Sequence, residues 1–268
     1  MKLSSVCYFG ALDLATRKLI LGWIEKNEQA LYSPRMPLHP VGVYFSPKSR
    51  DYNTKEFLPS YRGALVLLIQ QHWPLQVVTP RTLAEFHGET LVLPSVSVLN
   101  ETERQEIKTF AERGGRLVVL GEDSSGVPQS PQKIVLSSDP AREYYNALEA
   151  GFAAGSANPP RELLNALGSN DGIQLDAPPT VAANFATVNG APHIYLVNFG
   201  GLVPDKVAVP TPVNSIRIRV PAAMGNSLSY LSFLGETQVV HGEKRGDRVE
   251  FTLPPLERGA VVSVMRGR

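Results

Sequence analysis

The sequence predicts an α/β protein in which a parallel sheet with helices on both faces is followed by an antiparallel β-sandwich. Between Val41 and Leu120, short apolar runs alternate with amphipathic helical patterns, as in an open parallel sheet. After about residue 172, short strands follow one another closely between Gly and Pro turns, as in a sandwich. The 268 residues are enough to bury two hydrophobic cores. We therefore expect two folded units joined in one chain.

Three segments follow from these patterns: an N-terminal helix and linker over 1–36, the α/β unit over 37–170, and the sandwich over 171–268. Apolar residues near 3.6-residue spacing, including Leu19 and Trp23, predict a helix up to about residue 33. The prolines that follow predict a stiff linker, because proline cannot continue a helix.

In the α/β unit we expect strands near 41–46, 75–78, 90–93 and 116–120. Asn100 with Glu103 three positions later predicts a capping box at the start of a helix. A helix from Glu56 to His72, a polar loop over 48–53 and a short helix at 83–86 fill the intervals. His72 is expected to cap its helix as an imidazolium ion, whose charge suits the C-terminal end of a helix dipole.

In the second unit, Asn189-Gly190 predicts a two-residue hairpin turn. About seven strands are expected, and six of them are predicted at 180–185, 193–198, 215–220, 228–234, 248–253 and 260–265. The stretch 124–140 is rich in Ser, Pro and Gln and is interpreted as a surface excursion with one short strand at 134–136.

Composition excludes several classes of function. The net charge is +1 and Lys and Arg form no dense cluster, so we expect no nucleic-acid partner. No apolar run is long enough to span a bilayer, so no membrane association is expected. The N-terminus lacks the pattern of a signal peptide, which favours a cytoplasmic location. The single cysteine, Cys7, excludes an intramolecular disulfide and is interpreted as a buried residue of the first helix.

Candidate catalytic residues follow the strand at 116–120. Glu122 and Asp123 lie where the strands of such a sheet end, and ligands bind at this edge in open α/β folds. Two carboxylates could act as acid and base, or could bind a hard cation such as Ca²⁺. The alternative is a solvated loop, because adjacent residues of an extended segment point in opposite directions.

Candidate ligand-binding residues follow the other strands of the sheet. Arg50, Asp51 and Arg81 come after the first two strands and could form a pocket for an anion or a sugar, or simply pair with neighbouring charges. Ser95 stands where the sharp turn of a nucleophile elbow would present a reactive side chain, but no cysteine or flanking glycine accompanies it. Trp73 could stack on a sugar ring or pack in the core. No metal-binding motif is present in the sequence, and no cofactor is expected beyond a Ca²⁺ ion.

Several segments together resemble a known family. They are 41–47, 57–63 (FLPSYRG), 74–80 and 91–94, followed by 193–201 (HIYLVNFGG). The order of these parts resembles the amidotransferase-like domain, or β-galactosidase trimerisation domain, of glycoside hydrolase family 42, with the small β-sandwich that ends such enzymes. The resemblance implies a sheet of the flavodoxin or class I amidotransferase type.

The same resemblance implies a limited role. The catalytic carboxylates of those enzymes lie in a (β/α)8 barrel, which needs roughly 250 residues of its own. This chain resembles the part without the barrel, which favours a non-catalytic structural or oligomerisation module acting as a homo-oligomer or beside a barrel domain. Two alternatives remain: an independent hydrolase of glycosides, esters or lactones using the carboxylate edge, with or without Ca²⁺, and a carbohydrate-binding module.

Overall fold

The computed structural model describes residues 13–151, 157–202 and 210–265. Its first part is a five-stranded parallel sheet with the order β3-β2-β4-β5-β6. The strands are β2 (Val41–Tyr44), β3 (Leu75–Val78), β4 (Thr90–Pro94), β5 (Arg116–Leu120) and β6 (Lys133–Leu136). The four predicted strands are confirmed, and the short strand at 134–136 joins them as an edge strand.

Helices cover both faces of this sheet, as predicted. They are α3 (Pro47–Tyr52), α4 (Thr54–Gln70), α5 (Glu101–Glu112), α6 (Pro140–Gly151) and α7 (Arg161–Leu167). Alternate strand residues point to opposite faces, so Val118 packs with α4, α6 and α7 while Val119 packs with α5. Both are buried, which explains why the central strands consist of continuous apolar runs.

The helix boundaries differ from the predicted ones in two places. The expected loop over 48–53 is wrong for all but its last residue, since α3 extends to Tyr52. Ser46 caps this helix by accepting from Ser49 N at 3.1 Å, and Pro47 suits the first helical position. The expected helix at 83–86 is wrong: the segment 79–86 forms turns, with Phe86 N donating to Leu83 O. The capping box of α5 is confirmed, with Asn100 and Glu103 bonding reciprocally.

The second part consists of two antiparallel sheets. Its strands are β7 (Gln174–Asp176), β8 (Val181–Val188), β9 (Ala191–Asn198), β10 (Arg217–Pro221), β11 (Ser227–Ser232), β12 (Thr237–His241), β13 (Glu243–Arg245), β14 (Arg248–Thr252) and β15 (Gly259–Met265). One sheet has the order β13-β14-β10-β7. Buried residues of both sheets belong to a single apolar cluster that includes Ile194, Ile218 and Phe251. Asn189 and Gly190 both have positive φ, which confirms the hairpin between β8 and β9.

The N-terminal segment contacts the antiparallel part. It contains α1 (Leu14–Lys26), α2 (Glu28–Tyr32) and β1 (Arg35–Pro37). The expected linker contains a strand, β1, which pairs with β8. This pairing completes a six-stranded sheet of order β1-β8-β9-β15-β11-β12. Trp23 packs edge-on against Phe233, and its indole N–H donates to Gly235 O at 3.1 Å. Cys7 lies outside the described residues. No helix of the described residues is long and apolar enough to cross a membrane.

Candidate functional site

Ser95 occupies a strained turn directly after β4, at the carboxyl edge of the parallel sheet. Its φ is 40°, a conformation that serine rarely adopts. Its backbone N–H donates to Leu120 O at 2.9 Å, which fixes the turn against the end of β5. The Ser95 hydroxyl donates to Asp139 Oδ2 at 2.6 Å. The turn therefore presents Ser95 to a carboxylate that reaches it from beyond β6.

Asp139 is fully buried and has a positive φ of 51°. Its second carboxylate oxygen accepts from Arg142 N at 3.1 Å in the first turn of α6. Both oxygens of Asp139 are thus satisfied from within the protein. The sequence interpretation missed this residue, although an aspartate followed by proline is a usual start of a helix.

Glu122 and Asp123 do not form a pair at the edge. Asp123 Oδ2 accepts from Lys133 Nζ at 2.5 Å, and its Oδ1 accepts from Val127 N at 3.1 Å. The Lys133 side chain is only 4% exposed and also donates to Val127 O, so Asp123 holds the 123–133 loop together. Glu122 is exposed and lines a cavity of about 310 Å³.

Three of the other predicted residues do not line this cavity. Arg50 is joined to its neighbour Asp51 at 2.7 Å, and its guanidinium lies 5.7 Å from the ring centre of Phe45. Arg81 is exposed in the turn after β3. Of the six predicted residues, the cavity therefore brings together only Ser95 and Glu122.

Other polar residues complete the cavity wall. Arg142 makes an ion pair with Glu56 of α4, and both residues line the cavity. Ser97 also lines it, and the buried Ser97 Oγ has no hydrogen-bond partner among the described residues. The backbone of Ser97 is fixed by Ser49, whose hydroxyl oxygen accepts from Ser97 N at 3.1 Å. Arg142 and Glu56 were not predicted, because nothing in their local sequence reveals that α4 and α6 bring them together.

A buried pair supports the edge from the opposite side of β4. The hydroxyl of the fully buried Tyr44 donates to Glu103 Oε1 at 2.6 Å. Burial raises the pKa of the Tyr44 phenol, and the hydrogen bond to the Glu103 carboxylate raises that pKa further. Tyr44 therefore remains a neutral donor, and it ties the end of β2 to the capping box of α5.

The described residues contain no group of three or more His, Cys, Asp or Glu side chains placed to hold a metal ion. Of the two residues predicted as Ca²⁺ ligands, Glu122 and Asp123, the second is already paired with Lys133.

Comparisons with known proteins place the fold but not the activity. No protein-family profile matches the chain, and no curated protein matches it in sequence. Among solved structures, the chain is similar to α-L-fucosidase isoenzyme 2 from Paenibacillus thiaminolyticus, with a TM-score of 0.67 and 13% identity over 97% of this chain and 54% of the fucosidase. It is also similar to Gan42B, a GH42 β-galactosidase from G. stearothermophilus, with a TM-score of 0.51 and 10% identity over 86% of this chain and 41% of the galactosidase.

The chain thus spans about half or less of these two glycosidases. At such identities the likeness concerns the fold alone. The chain has a fold related to that found in glycoside hydrolases, in which a parallel sheet with helices accompanies antiparallel sheets.

Proposed function

We propose that the chain is a non-catalytic structural module of glycoside-hydrolase type, equivalent to the amidotransferase-like domain and terminal β-sandwich, and that it forms a homo-oligomer. The observation that carries the proposal is the state of the predicted carboxylates. Most glycosidases work with two free carboxyl groups on either side of the scissile bond. Here Asp123 is bound to Lys133, and of the two carboxylates that line the cavity, Glu122 and Glu56, the second is paired with Arg142.

The likeness in fold supports the proposal because the chain matches only about half of the fucosidase. The boundaries at about 36 and 170 belong to the proposal. The pairing of β1 with β8 means that the N-terminal segment would stay with the sandwich if the two units were separated.

Exposed leucines of α1 support self-association. Leu14, Leu19 and Leu21 are 67%, 59% and 52% exposed, and none of the residues of α1 is buried. Leu14 and Leu21, seven residues apart, lie on the same face of α1, and exposed apolar surface of this kind marks interaction sites in soluble proteins. A second copy of the chain would remove these leucines from water, at a gain of about 1.5–3 kcal/mol for each fully buried side chain.

Light scattering of the purified chain after size exclusion tests the assembly. We expect a mass that is a multiple of 29.2 kDa, falling towards that of a monomer in the Leu14→Lys/Leu21→Lys variant. Val239→Lys is the matched control, because Val239 is 54% exposed on the edge strand β12, outside the α1 surface. A monomeric wild-type chain would contradict self-association.

One observation favours a second candidate, a hydrolase of esters or lactones. Ser95 stands on an elbow-like turn with its hydroxyl bonded to Asp139, as a nucleophile and base would be. In this reaction Ser95 Oγ would add to the carbonyl carbon and its proton would pass to Asp139. The alkoxide would leave with that proton, and water would then release the acid from the serine ester.

Chromogenic esters and lactones test this candidate, with Ser95→Ala as the decisive variant. Calcium dependence belongs to the same candidate, with Glu122 as the proposed ligand, and is tested by adding a chelator. Turnover that Ser95→Ala abolishes would establish the hydrolase. Equal rates in wild type and variant would exclude it.

A further inference from the structure

A second cavity, of about 330 Å³, lies at the opposite edge of the parallel sheet, between the two parts of the chain. The first residues of β2, β4 and β5 are in register there, as Val41 pairs with Thr90 and Thr90 with Arg116. The loop 169–172 and residues Pro221 and Met224 of the antiparallel part close the other side.

Arg116 is the unusual residue of this cavity. It is half-buried, and its guanidinium has no hydrogen-bond or ion-pair partner among the described residues. Its backbone N–H donates to Glu89 O at 2.8 Å, so the residue itself is fixed at the start of β5. A partly buried guanidinium with no acceptor loses hydration without compensation. Such a group is better satisfied when a ligand supplies the acceptors.

The Arg116 guanidinium packs against the backbone at Gly168. Gly168 ends α7 with a φ of 96°, and a Cβ at this position would overlap the Arg116 guanidinium. The positive φ favours glycine at this position, and its missing Cβ leaves the space in which the Arg116 guanidinium lies.

The remaining walls are also held in place. Thr90 Oγ1 donates to Leu167 O at 2.9 Å, and the Arg248 guanidinium donates to Asp171 O and Gly172 O at 2.9 and 2.8 Å. These bonds fix the loop between the two parts before any ligand arrives. Preformed walls reduce the entropy that a ligand must lose on binding.

The chemistry of the lining is mixed. Arg116 offers donors, the carboxylates of Glu89 and Asp171 offer acceptors at the exposed rim, and Trp73 and Met224 supply apolar surface. We propose that this cavity binds a neutral sugar of one or two rings. Sugar hydroxyls both donate and accept, so they satisfy both kinds of group, while an apolar ring face packs on Trp73.

Charge and size favour a neutral sugar over an anion. Two carboxylates beside one guanidinium repel phosphate or sulfate, whereas hydroxyl groups carry no net charge. The cavity volume is at the lower end of the roughly 300–1,000 Å³ found for small-molecule sites. This inference goes beyond the structural role, and it does not depend on self-association.

Titration calorimetry with lactose, D-galactose and D-glucose tests the proposal on the full chain. We expect millimolar binding of at least one of these sugars, weakened roughly tenfold in Arg116→Met and in Glu89→Gln. Arg81→Met and Glu85→Gln are matched controls, since they remove the same groups from exposed positions outside this cavity. Both controls should bind as wild type does.

Fluorescence locates the bound sugar independently. The chain has two tryptophans, and Trp23→Phe leaves only Trp73, which lines the cavity. We expect a sugar-dependent change of Trp73 emission in this variant. The affinity obtained from this change should equal the affinity measured by calorimetry. No heat and no emission change up to about 20 mM of each sugar would overturn the proposal. Sugar binding that is unchanged in Arg116→Met would overturn it as well. So would heat on titration with the free amino acid glycine, a zwitterion, when none of the sugars binds.

Discussion

The two edges of the parallel sheet carry cavities of similar volume, about 310 and 330 Å³, but their polar groups are in different states. At the carboxyl edge, Ser95 is bonded to Asp139, Asp123 to Lys133, and Arg142 to Glu56. At the amino edge, the guanidinium of Arg116 has no partner among the residues that the structure describes.

This comparison bears on how the edges of a parallel sheet are interpreted as binding sites. The carboxyl ends of parallel strands form a crevice by topology, and that crevice is where ligands usually bind. Topology does not decide whether its polar groups are free. Groups that satisfy one another stabilise the fold, while a half-buried group without a partner is available to a ligand. At the carboxyl edge the buried Ser97 Oγ also lacks a partner among the described residues, but the charged groups named above are paired. On this criterion the carboxyl edge is mainly structural, and the amino edge, with its unpaired guanidinium, is the better binding site.

The largest expected effect is that of Asp139→Ala, which tests the structural role of the carboxyl edge. The change removes the acceptor of Ser95 Oγ and of Arg142 N, and it places alanine at a positive φ. We expect the free energy of unfolding to fall by about 3 kcal/mol in urea denaturation. Asp139→Asn keeps an acceptor oxygen and tolerates the backbone conformation, so it should lose less than about 1.5 kcal/mol. Equal stability of the alanine variant and wild type would show that the edge is not structural.

Lys133→Met should lower the free energy of unfolding by about 2 kcal/mol, because it leaves the largely buried Asp123 without its cation. Arg81→Met removes an exposed cation and should change the stability by less than about 0.5 kcal/mol. Thermal and urea denaturation of both variants make the measurement. If Lys133→Met loses no more stability than Arg81→Met, the pairing with Lys133 is not needed for the fold, and Asp123 is free for another role.

Gly168→Ala tests the contact between the Arg116 guanidinium and the Gly168 backbone at the amino edge. The substitution adds a Cβ at a φ of 96° and displaces the guanidinium, and we expect a loss of about 1.5 kcal/mol. In an Arg116→Ala background, the overlap is gone and only the backbone cost of about 1 kcal/mol should remain. The double-mutant cycle measures the difference. A cost that is the same in both backgrounds would argue against contact between these residues.

The smallest expected effect is a pH dependence at the junction of the two parts. His72 is 5% exposed, has a φ of 55° and bonds through Nε2 to Val181 O at 2.8 Å. Burial lowers the pKa of the imidazole from 6.5, against the opposing effect of its bonds to Val181 and Pro178. The expectation of an imidazolium cap is therefore wrong, because the environment favours the neutral ring.

Because the unfolded chain binds the proton of His72 more readily, this residue contributes stability above about pH 6.5 that is lost as the pH falls. The variant His72→Gln retains an amide donor and does not titrate. Urea unfolding of both proteins between pH 8 and pH 5 should therefore show the wild type losing more stability than the variant towards acid. A parallel decline in both would assign the dependence to other groups.

Much of the fold could be predicted because its signals are local. The helix over 101–112 carries its own cap and apolar stripe, and the buried strands beside it are continuous apolar runs. β12 and β13 escaped prediction since almost all their residues are exposed, which leaves no alternation to recognise. β1 escaped because its pairing depends on β8, some 150 residues away in the chain.

The candidate site was less accessible to prediction. Ser95 and Glu122 could be placed at the edge from strand order alone. Asp139, the partner of Ser95, and Lys133, the partner of Asp123, come from beyond the next loop, and no local pattern shows that they reach these two residues. The cavity at the amino edge depends on Gly168 and on packing between the two parts, which only the tertiary structure reveals.

The most direct test of the central claim is the hydrolysis rate of the purified chain on chromogenic glycosides, esters and lactones, compared with that of Ser95→Ala/Glu122→Gln. A non-catalytic module predicts the same background rate for both proteins on every substrate. Turnover by the wild type that disappears in the double variant, with the fold intact by circular dichroism, would contradict it.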